Sequence, residues 1–269
     1  MRLAQLIQQT HPTSGQIALF YAAQAGFFLK TSSDRLIGLD LYFSDCCERL
    51  YGYKRMIPPL IGPRELNIDL LASTHAHEDH LDVDALGILA KRGQTCFLGA
   101  PDCRAAYESA GLANDRYNIL SEAEEWNFGD IVFRGIYADH GDSAPQAMGL
   151  LISIDRLNIY CTGDTAYVPD KILASLHTSV DIMIAPINGA FGNLDHLQAC
   201  QLAADVKPKF ILACHFGMFI EHGGDPASFL AQAEKLPETI KALVMAPGER
   251  MIYSRDKGTF DLATLKVDI

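Results

Sequence analysis

Apolar residues along this chain fall in short runs broken by small and polar residues, and the runs predict alternating strands and helices. Ile17–Tyr21, Gly26–Lys30 and Leu36–Leu41 read as strands of an opening meander. Residues 43–66 carry Pro58, Pro59 and Pro63 and read as an irregular stretch looping over a sheet edge. Residues 68–73 form the next strand, and Val83–Lys91 has helical spacing with Asp82 placed as its N-cap. Phe97–Gly99 is extended, and Asp102–Ala110 reads as a helix closed by Gly111. Residues 126–138 and 148–161 supply further strands, with Asn127-Phe128-Gly129-Asp130 as a turn. In the second half Lys171–Leu176, Leu194–Asp205 and Pro226–Lys235 are helical, while Ile182–Pro186, Phe210–Cys214, Leu243–Ala246 and Glu249–Tyr253 are extended. Periodicity alone predicts a mixed α/β fold, and strands followed by helices on both outer faces fit a two-sheet sandwich. With no repeat, low-complexity segment or linker, 269 residues are expected to form a single domain over 1–269.

The residues that end these strands say more than the strands do. Directly after residues 68–73 comes Thr74-His75-Ala76-His77-Glu78-Asp79-His80, which puts three imidazoles and the Asp79 carboxylate within six positions, 75–80. Imidazole suits zinc, iron and manganese, and a carboxylate adds a harder oxygen ligand. Four donors so close cannot comfortably saturate one tetrahedral ion, so two adjacent ions sharing the loop is the natural reading. Three later donors also stand at the ends of apolar runs: His140 after 131–139, Asp164 after 157–163 and His215 after 210–214. Taken singly, a strand-end histidine or an aspartate after glycine is an ordinary turn residue. Strands converging at one sheet edge would deliver all of them to one place.

Composition narrows the classes. The chain is 49% apolar and 20% charged, as a soluble globular enzyme requires. A formal charge of −11 argues against a nucleic-acid partner, which calls for a basic patch. Seven cysteines, an odd number without framework spacing, point to reduced thiols, with Cys161 and Cys214 as small packing residues. The first nine residues are too short and too polar for a signal-peptide core, and no run approaches the ~20 apolar residues of a membrane span. A cytoplasmic address and no membrane partner are expected; a homo-oligomer is left open.

The motif series resembles the metallo-β-lactamase-fold hydrolase superfamily, and within it the L-ascorbate-6-phosphate lactonase type. The likeness runs through Gln24-Ala25-Gly26-Phe27 on an early strand, Leu39–Asp45, Lys54–Leu60, Gly163-Asp164-Thr165, Asn188-Gly189-Ala190, His215-Phe216 and Asp225-Pro226. It implies an αββα four-layer sandwich. It also implies a ligand set in which His75, His77 and His140 hold one divalent ion, Asp79, His80 and His215 a second, and Asp164 bridges both. At His140 the chain keeps the general two-ion pattern, from which the ascorbate-phosphate branch departs. The lactonase likeness favours manganese and the superfamily at large zinc, and the donor set also admits iron. Two ions about 3.5–4 Å apart would activate a water, orient it and stabilise the oxyanion formed at a carbonyl or phosphoryl centre. Asp79 and Asp164 are then the catalytic candidates.

Asp40 and Thr74 are expected to support the ligands, an aspartate fixing a ligand histidine's tautomer by accepting its free ring N–H; Asp45 is weighed for the same role. Lys54, Arg55 and Arg64 are the candidates for clamping a phosphorylated small-molecule substrate. His196 and His222 are candidates for substrate contact or proton donation at the rim. A lactone or related ester, such as a sugar-phosphate lactone, is the leading substrate expectation. The rivals are a phosphodiesterase of the same fold, which the acidic balance speaks against, and a non-catalytic metal-binding protein.

Overall fold

The computed structural model describes residues 2–263; Met1 and residues 264–269, which the expected single unit includes, lie outside them. After helix α1 (Leu3–Gln9), six strands follow in the first half of the chain. They are β1 (Gln16–Tyr21), β2 (Phe27–Lys30), β3 (Leu36–Leu39), β4 (Leu70–Ser73), β5 (Cys96–Gly99) and β6 (Tyr117–Ile119). Helices α2 (Cys46–Tyr51), α3 (Val83–Arg92) and α4 (Arg104–Ser109) lie between them. The next seven strands build a second sheet: β7 (Glu125–Phe128), β8 (Ile131–Tyr137), β9 (Met148–Ile154), β10 (Leu157–Cys161), β11 (Ile182–Pro186), β12 (Phe210–Cys214) and β13 (Lys241–Leu243). Helices α5 (Pro169–Leu176), α6 (His196–Val206) and α7 (Pro226–Ala233) connect its parallel strands. The chain then returns to the first sheet as β14 (Arg250–Ser254) and β15 (Thr259–Ala263). The first sheet runs β15-β14-β1-β2-β3-β4-β5-β6 and the second β13-β12-β11-β10-β9-β8-β7.

Alternation along the strands explains the layering. Ile182, Ile184, Phe210 and Leu212 pack into the core shared with Leu29, Ile37 and Leu70 of the first sheet. Their neighbours Met183, Ala185, Ile211 and Ala213 point the other way, onto Ile172 and Leu176 of α5, Leu202 of α6 and Phe229 of α7. Because each face is buried, β11 and β12 are apolar throughout rather than alternating. Each such Ile, Leu or Phe contributes ~1.5–3 kcal/mol when fully buried. The expected αββα sandwich is what forms. Among the described residues no helix is long and apolar enough to cross a membrane.

Several boundaries differ from the sequence reading. Helix α6 starts at His196 because Asp195 caps it, accepting from Gln198 N while the Gln198 side chain reaches back to Asp195 N. The stretch 43–66, expected to be irregular, contains α2. The strand expected at 243–246 is instead Lys241–Leu243. Gln24-Ala25-Gly26, expected on a strand, forms the tight turn joining β1 to β2, with Ala23 and Gln24 in the left-handed region at φ of 72° and 54°. Helix α1 and strands β6 and β15 carried no strong pattern and were not anticipated. Helix α3 begins as expected: Asp82 accepts from Asp84 N and Ala85 N, a cap of ~1 kcal/mol.

Candidate metal centre

Five strands end at one side of the sandwich and release their next residues into a common pocket. Asp40 follows β3, the loop 74–82 follows β4, His140 follows β8, Asp164 follows β10 and His215 follows β12. The turn before Asp164 needs glycine. Gly163 has φ of 61°, and a Cβ there would sit 2.8 Å from Met148 O and 3.0 Å from Thr74 Cβ.

The seven donors expected from the sequence come together here. Ligand-type atoms of His75, His77 and His140 lie within 4.8 Å of one another, as do those of His75, His80 and Asp164 and those of Asp79, His80 and His215. His75 Nε2 is 2.9 Å from His77 Nδ1, which is 3.2 Å from His140 Nε2. In the neighbouring group, His215 Nε2 is 3.3 Å from Asp79 Oδ2 and 3.2 Å from Asp164 Oδ2, and His80 Nε2 is 3.4 Å from Asp164 Oδ1. Three imidazole nitrogens facing one point cannot all be satisfied by sharing protons. The buried His80 Nε2 also has no hydrogen-bond partner. Such an arrangement of lone pairs fits a divalent cation.

Protonation follows the same geometry. Burial pushes His75 and His140 below the usual imidazole range, reinforced for His75 by His80 and for His140 by His77, and only partly offset by Asp164. Burial would also lower His80 and His215, but the carboxylates Asp164 and Asp79 override it. His80 is held well above its ordinary value and His215 is pushed up to about 9. Asp79 and Asp164 are penalised by burial yet fall well below the usual carboxylate range, because His80 and His215 stand beside both.

Buried partners hold the donors in place. Asp40, wholly buried, accepts from Thr74 N and Thr74 Oγ1, each at 2.8 Å, and its Oδ2 lies 3.0 Å from His80 Nδ1. Thr74 Oγ1 is also 3.1 Å from His75 Nδ1. Asp45 is an exposed residue at the start of α2, 3.9 Å from Arg55, and supports no donor. Two further partners escaped the sequence reading. Gln24 Nε2 donates to Asp79 Oδ2 at 2.8 Å and lies 3.1 Å from His222 Nδ1. Asn193 Nδ2 donates to Asp164 Oδ2 at 2.6 Å. A turn glutamine and a loop asparagine look like ordinary surface residues in a sequence; the one available signal was that Gln24 lies in the segment 24–27 that carries the resemblance and Asn193 lies three residues before the candidate His196.

The rim candidates divide. His222 is buried, stacks on His215 with centroids 4.9 Å apart, lines the cavity and is pushed down to about 4, by burial first and the neighbouring His215 second. His196 is spent at the start of α6 and does not line the cavity. Of the residues expected to clamp a phosphorylated substrate, Lys54, Arg55 and Arg64 are not among those lining the cavity. Arg55 is committed elsewhere, donating to Ile57 O and Ser44 O with its guanidinium 4.7 Å from the centre of the Tyr42 ring. Lys54 and Arg64 are exposed in the loop. Among the described residues, no lysine or arginine lines the cavity over the donors, which is about 260 Å³.

Two stacked sheets between helices, with histidines and aspartates gathered where the strands end, define a metallo-hydrolase of the metallo-β-lactamase fold. The chain belongs to the beta-lactamase superfamily domain family, whose model matches residues 42–216. A UPF0173 metal-dependent hydrolase of Polynucleobacter asymbioticus is 29% identical over 257 residues, covering 89% of this chain and 87% of that protein. Another from Carboxydothermus hydrogenoformans is 28% identical over 200 residues, 71% of this chain and 85% of the relative. Two solved structures share the fold. A metallo hydrolase from Ignicoccus hospitalis has a TM-score of 0.71 at 20% identity, covering 88% of this chain and 98% of that one. An isothiocyanate hydrolase from Delia radicum gut bacteria has a TM-score of 0.70 at 18% identity, covering 88% and 99%. The chain is an enzyme, a metal-dependent hydrolase.

Proposed function

We propose that this hydrolase opens a lactone or cleaves a related carboxylic ester, using two divalent ions. His75, His77 and His140 would hold one ion and Asp79, His80 and His215 the other, with Asp164 a further donor that could serve either. Divalent ions bound there supply a nucleophile at neutral pH and neutralise the charge that develops on the attacked oxygen. The chain's own residues do the rest. Asp40 keeps the proton of His80 on Nδ1, leaving Nε2 free as a donor. Gln24 ties up Asp79 Oδ2, so the remaining carboxylate oxygen of Asp79 is the one that accepts the proton of the attacking water and returns it to the leaving oxygen. Asn193 fixes the rotamer of Asp164 through one oxygen. Burial of Gln24, Asp40, His80, Asp164 and Asn193 keeps bulk water from them, which strengthens each interaction.

The observation that carries this reading is the meeting of seven metal-competent donors beneath one small cavity. A phosphate-bearing substrate such as a sugar-phosphate lactone is disfavoured by the lack of a lining cation among the described residues, as is a phosphodiester. The test is metal analysis of freshly purified protein, with turnover of lactones, carboxylic esters and bis-p-nitrophenyl phosphate measured before and after chelation. Two equivalents of metal and chelator-sensitive hydrolysis of the carbonyl substrates are expected. One equivalent, or a preference for the phosphodiester, would overturn the proposal.

A further inference from the structure

The donors line only one end of the cavity. Away from them the wall is aromatic: Tyr51, Tyr53, Phe191 and Phe219 all line it. Tyr53 is the hub, its ring centroid 6.1 Å from Tyr51, 6.3 Å from Phe191 and 6.2 Å from Phe219. His222 closes the inner side, 4.8 Å from Phe219 and 5.2 Å from Phe191. The wall therefore runs unbroken from the histidine stacked on His215 out to solvent.

Its outer members are not core residues. Tyr51 and Phe191 are 56% and 55% exposed, large apolar surfaces left in water at the mouth of a cavity. Phe191 is held there at φ of 56°, a conformation unusual for a bulky residue and one that persists only where the surroundings impose it. Among the described residues the only lining acid outside the donor groups is Glu78, which accepts from Tyr51 OH at 2.7 Å.

We infer that the cavity takes a neutral substrate whose aromatic or branched apolar group seats on Tyr53, Phe191 and Phe219 while its carbonyl reaches the histidine and aspartate donors. This rests on the ester or lactone reading above. An anionic tail meets Glu78 with no cation to neutralise it. A quaternary ammonium tail would want an open box of rings; here the rings lean on one another, and the Glu78 carboxylate is already engaged by a phenol. The volume suits a small molecule, lying below the ~300–1,000 Å³ of drug-sized sites.

The test uses metal-loaded enzyme and p-nitrophenyl esters whose acyl chains end in phenyl, methyl, carboxylate or trimethylammonium. The phenyl ester is expected to exceed the methyl ester in kcat/KM by about 10²-fold, the scale on which apolar pockets discriminate, with the carboxylate at or below methyl. In Phe191→Ala and in Tyr53→Ala the phenyl-to-methyl ratio should fall about tenfold; loss of folded or metal-loaded protein cancels in that ratio. A second readout does not need turnover: saturation-transfer NMR with 4-phenyl-2-butanone and with levulinate should show contact for the first only, abolished in the double variant. If no ester is hydrolysed but the ketone binds the wall, the ester or lactone reading falls and this inference stands. Equal ratios across the four tails, a preference for the carboxylate or trimethylammonium ester, or a ratio untouched by both variants would overturn it.

Discussion

Asp40→Asn is the sharpest probe of how the site is held. The substitution keeps the volume of the side chain. Asparagine also tolerates the left-handed backbone, φ of 46°, that Asp40 occupies. Only one atom changes in effect. Asp40 Oδ1 accepts from Thr74 N, and an amide oxygen continues to do so. Asp40 Oδ2 faces Thr74 Oγ1 and His80 Nδ1, and in the variant an NH2 group stands there. Thr74 can rotate its hydroxyl to accept. His80 can satisfy the new donor only by presenting a lone pair at Nδ1, which moves its proton to Nε2, the atom the metal needs.

The consequence is a tautomer that opposes metal binding at the second donor group. Removing a partner that orients a ligand histidine lowers metal affinity by about 10–100-fold, which is about 1.4–2.8 kcal/mol at 1.4 kcal/mol per tenfold. The metal-free protein also loses hydrogen bonds to a charged group, each about 1.5–3 kcal/mol. The assay is metal content after dialysis against a graded competing chelator, run beside thermal unfolding with and without added metal. Half the wild-type metal should be lost at a chelator concentration that leaves the wild type loaded. If Asp40→Asn keeps wild-type affinity and turnover, the tautomer argument is wrong.

Other outcomes follow from the same geometry. Gly163→Ala forces a side chain against Met148 O at 2.8 Å on a left-handed backbone; a stability loss of at least ~1–3 kcal/mol by denaturant unfolding is expected, and a neutral result would contradict the close packing there. Asn193→Leu removes the 2.6 Å donor to Asp164 and should weaken metal binding by about 10–100-fold in the same chelator titration, with no change pointing to a passive loop residue. Metal-free protein should show a stability maximum near pH 6.5. His215 has its folded value raised to about 9, so its contribution is full below the unfolded histidine value of ~6.5 and fades as pH rises through about 9. His222, lowered to about 4, contributes above ~6.5 and loses that contribution as pH falls toward about 4. Added metal should remove the alkaline slope, because ligand binding requires His80 and His215 deprotonated; a melting curve flat from pH 6.5 to 9 without metal would refute the assignment.

What could be read in advance was what depends on local order. The loop 74–80 concentrates donors in consecutive positions, and Asp82 announces a helix start by type and place. Ile182–Pro186 and Phe210–Cys214 were read to the residue because strands buried on both faces are continuous apolar runs. Sequence proximity to the metal strand says nothing about direction: Arg55 turns toward Ser44 O and the Tyr42 ring. Gln24 and Asn193 were invisible as site residues for the opposite reason. Each reaches a carboxylate distant in sequence, Gln24 to Asp79 and Asn193 to Asp164, through a turn whose shape only tertiary packing determines. The aromatic wall likewise joins residues 51–53, 191 and 219, which have no shared period.

Backbone strain is present where the second donor group is assembled. Gln24, Asp40 and His215 are all non-glycine residues with positive φ, 54°, 46° and 57°, and such conformations cost about 1–3 kcal/mol each. They persist because the surrounding hydrogen bonds over-determine them. His215 N donates to Gln24 O at 2.7 Å, Tyr21 OH donates to the same carbonyl at 2.9 Å, and Asp40 N donates to Ala72 O at 2.9 Å. Two strained turns are thus tied directly to each other, and each aims its side chain at the same carboxylate and imidazole cluster. The donors are therefore held in register by the body of the sandwich. Positions set by packed strands and buried backbone bonds keep tighter tolerances than a mobile loop could. The one exposed, strained ring at its mouth, Phe191, belongs to substrate selection and not to the chemistry.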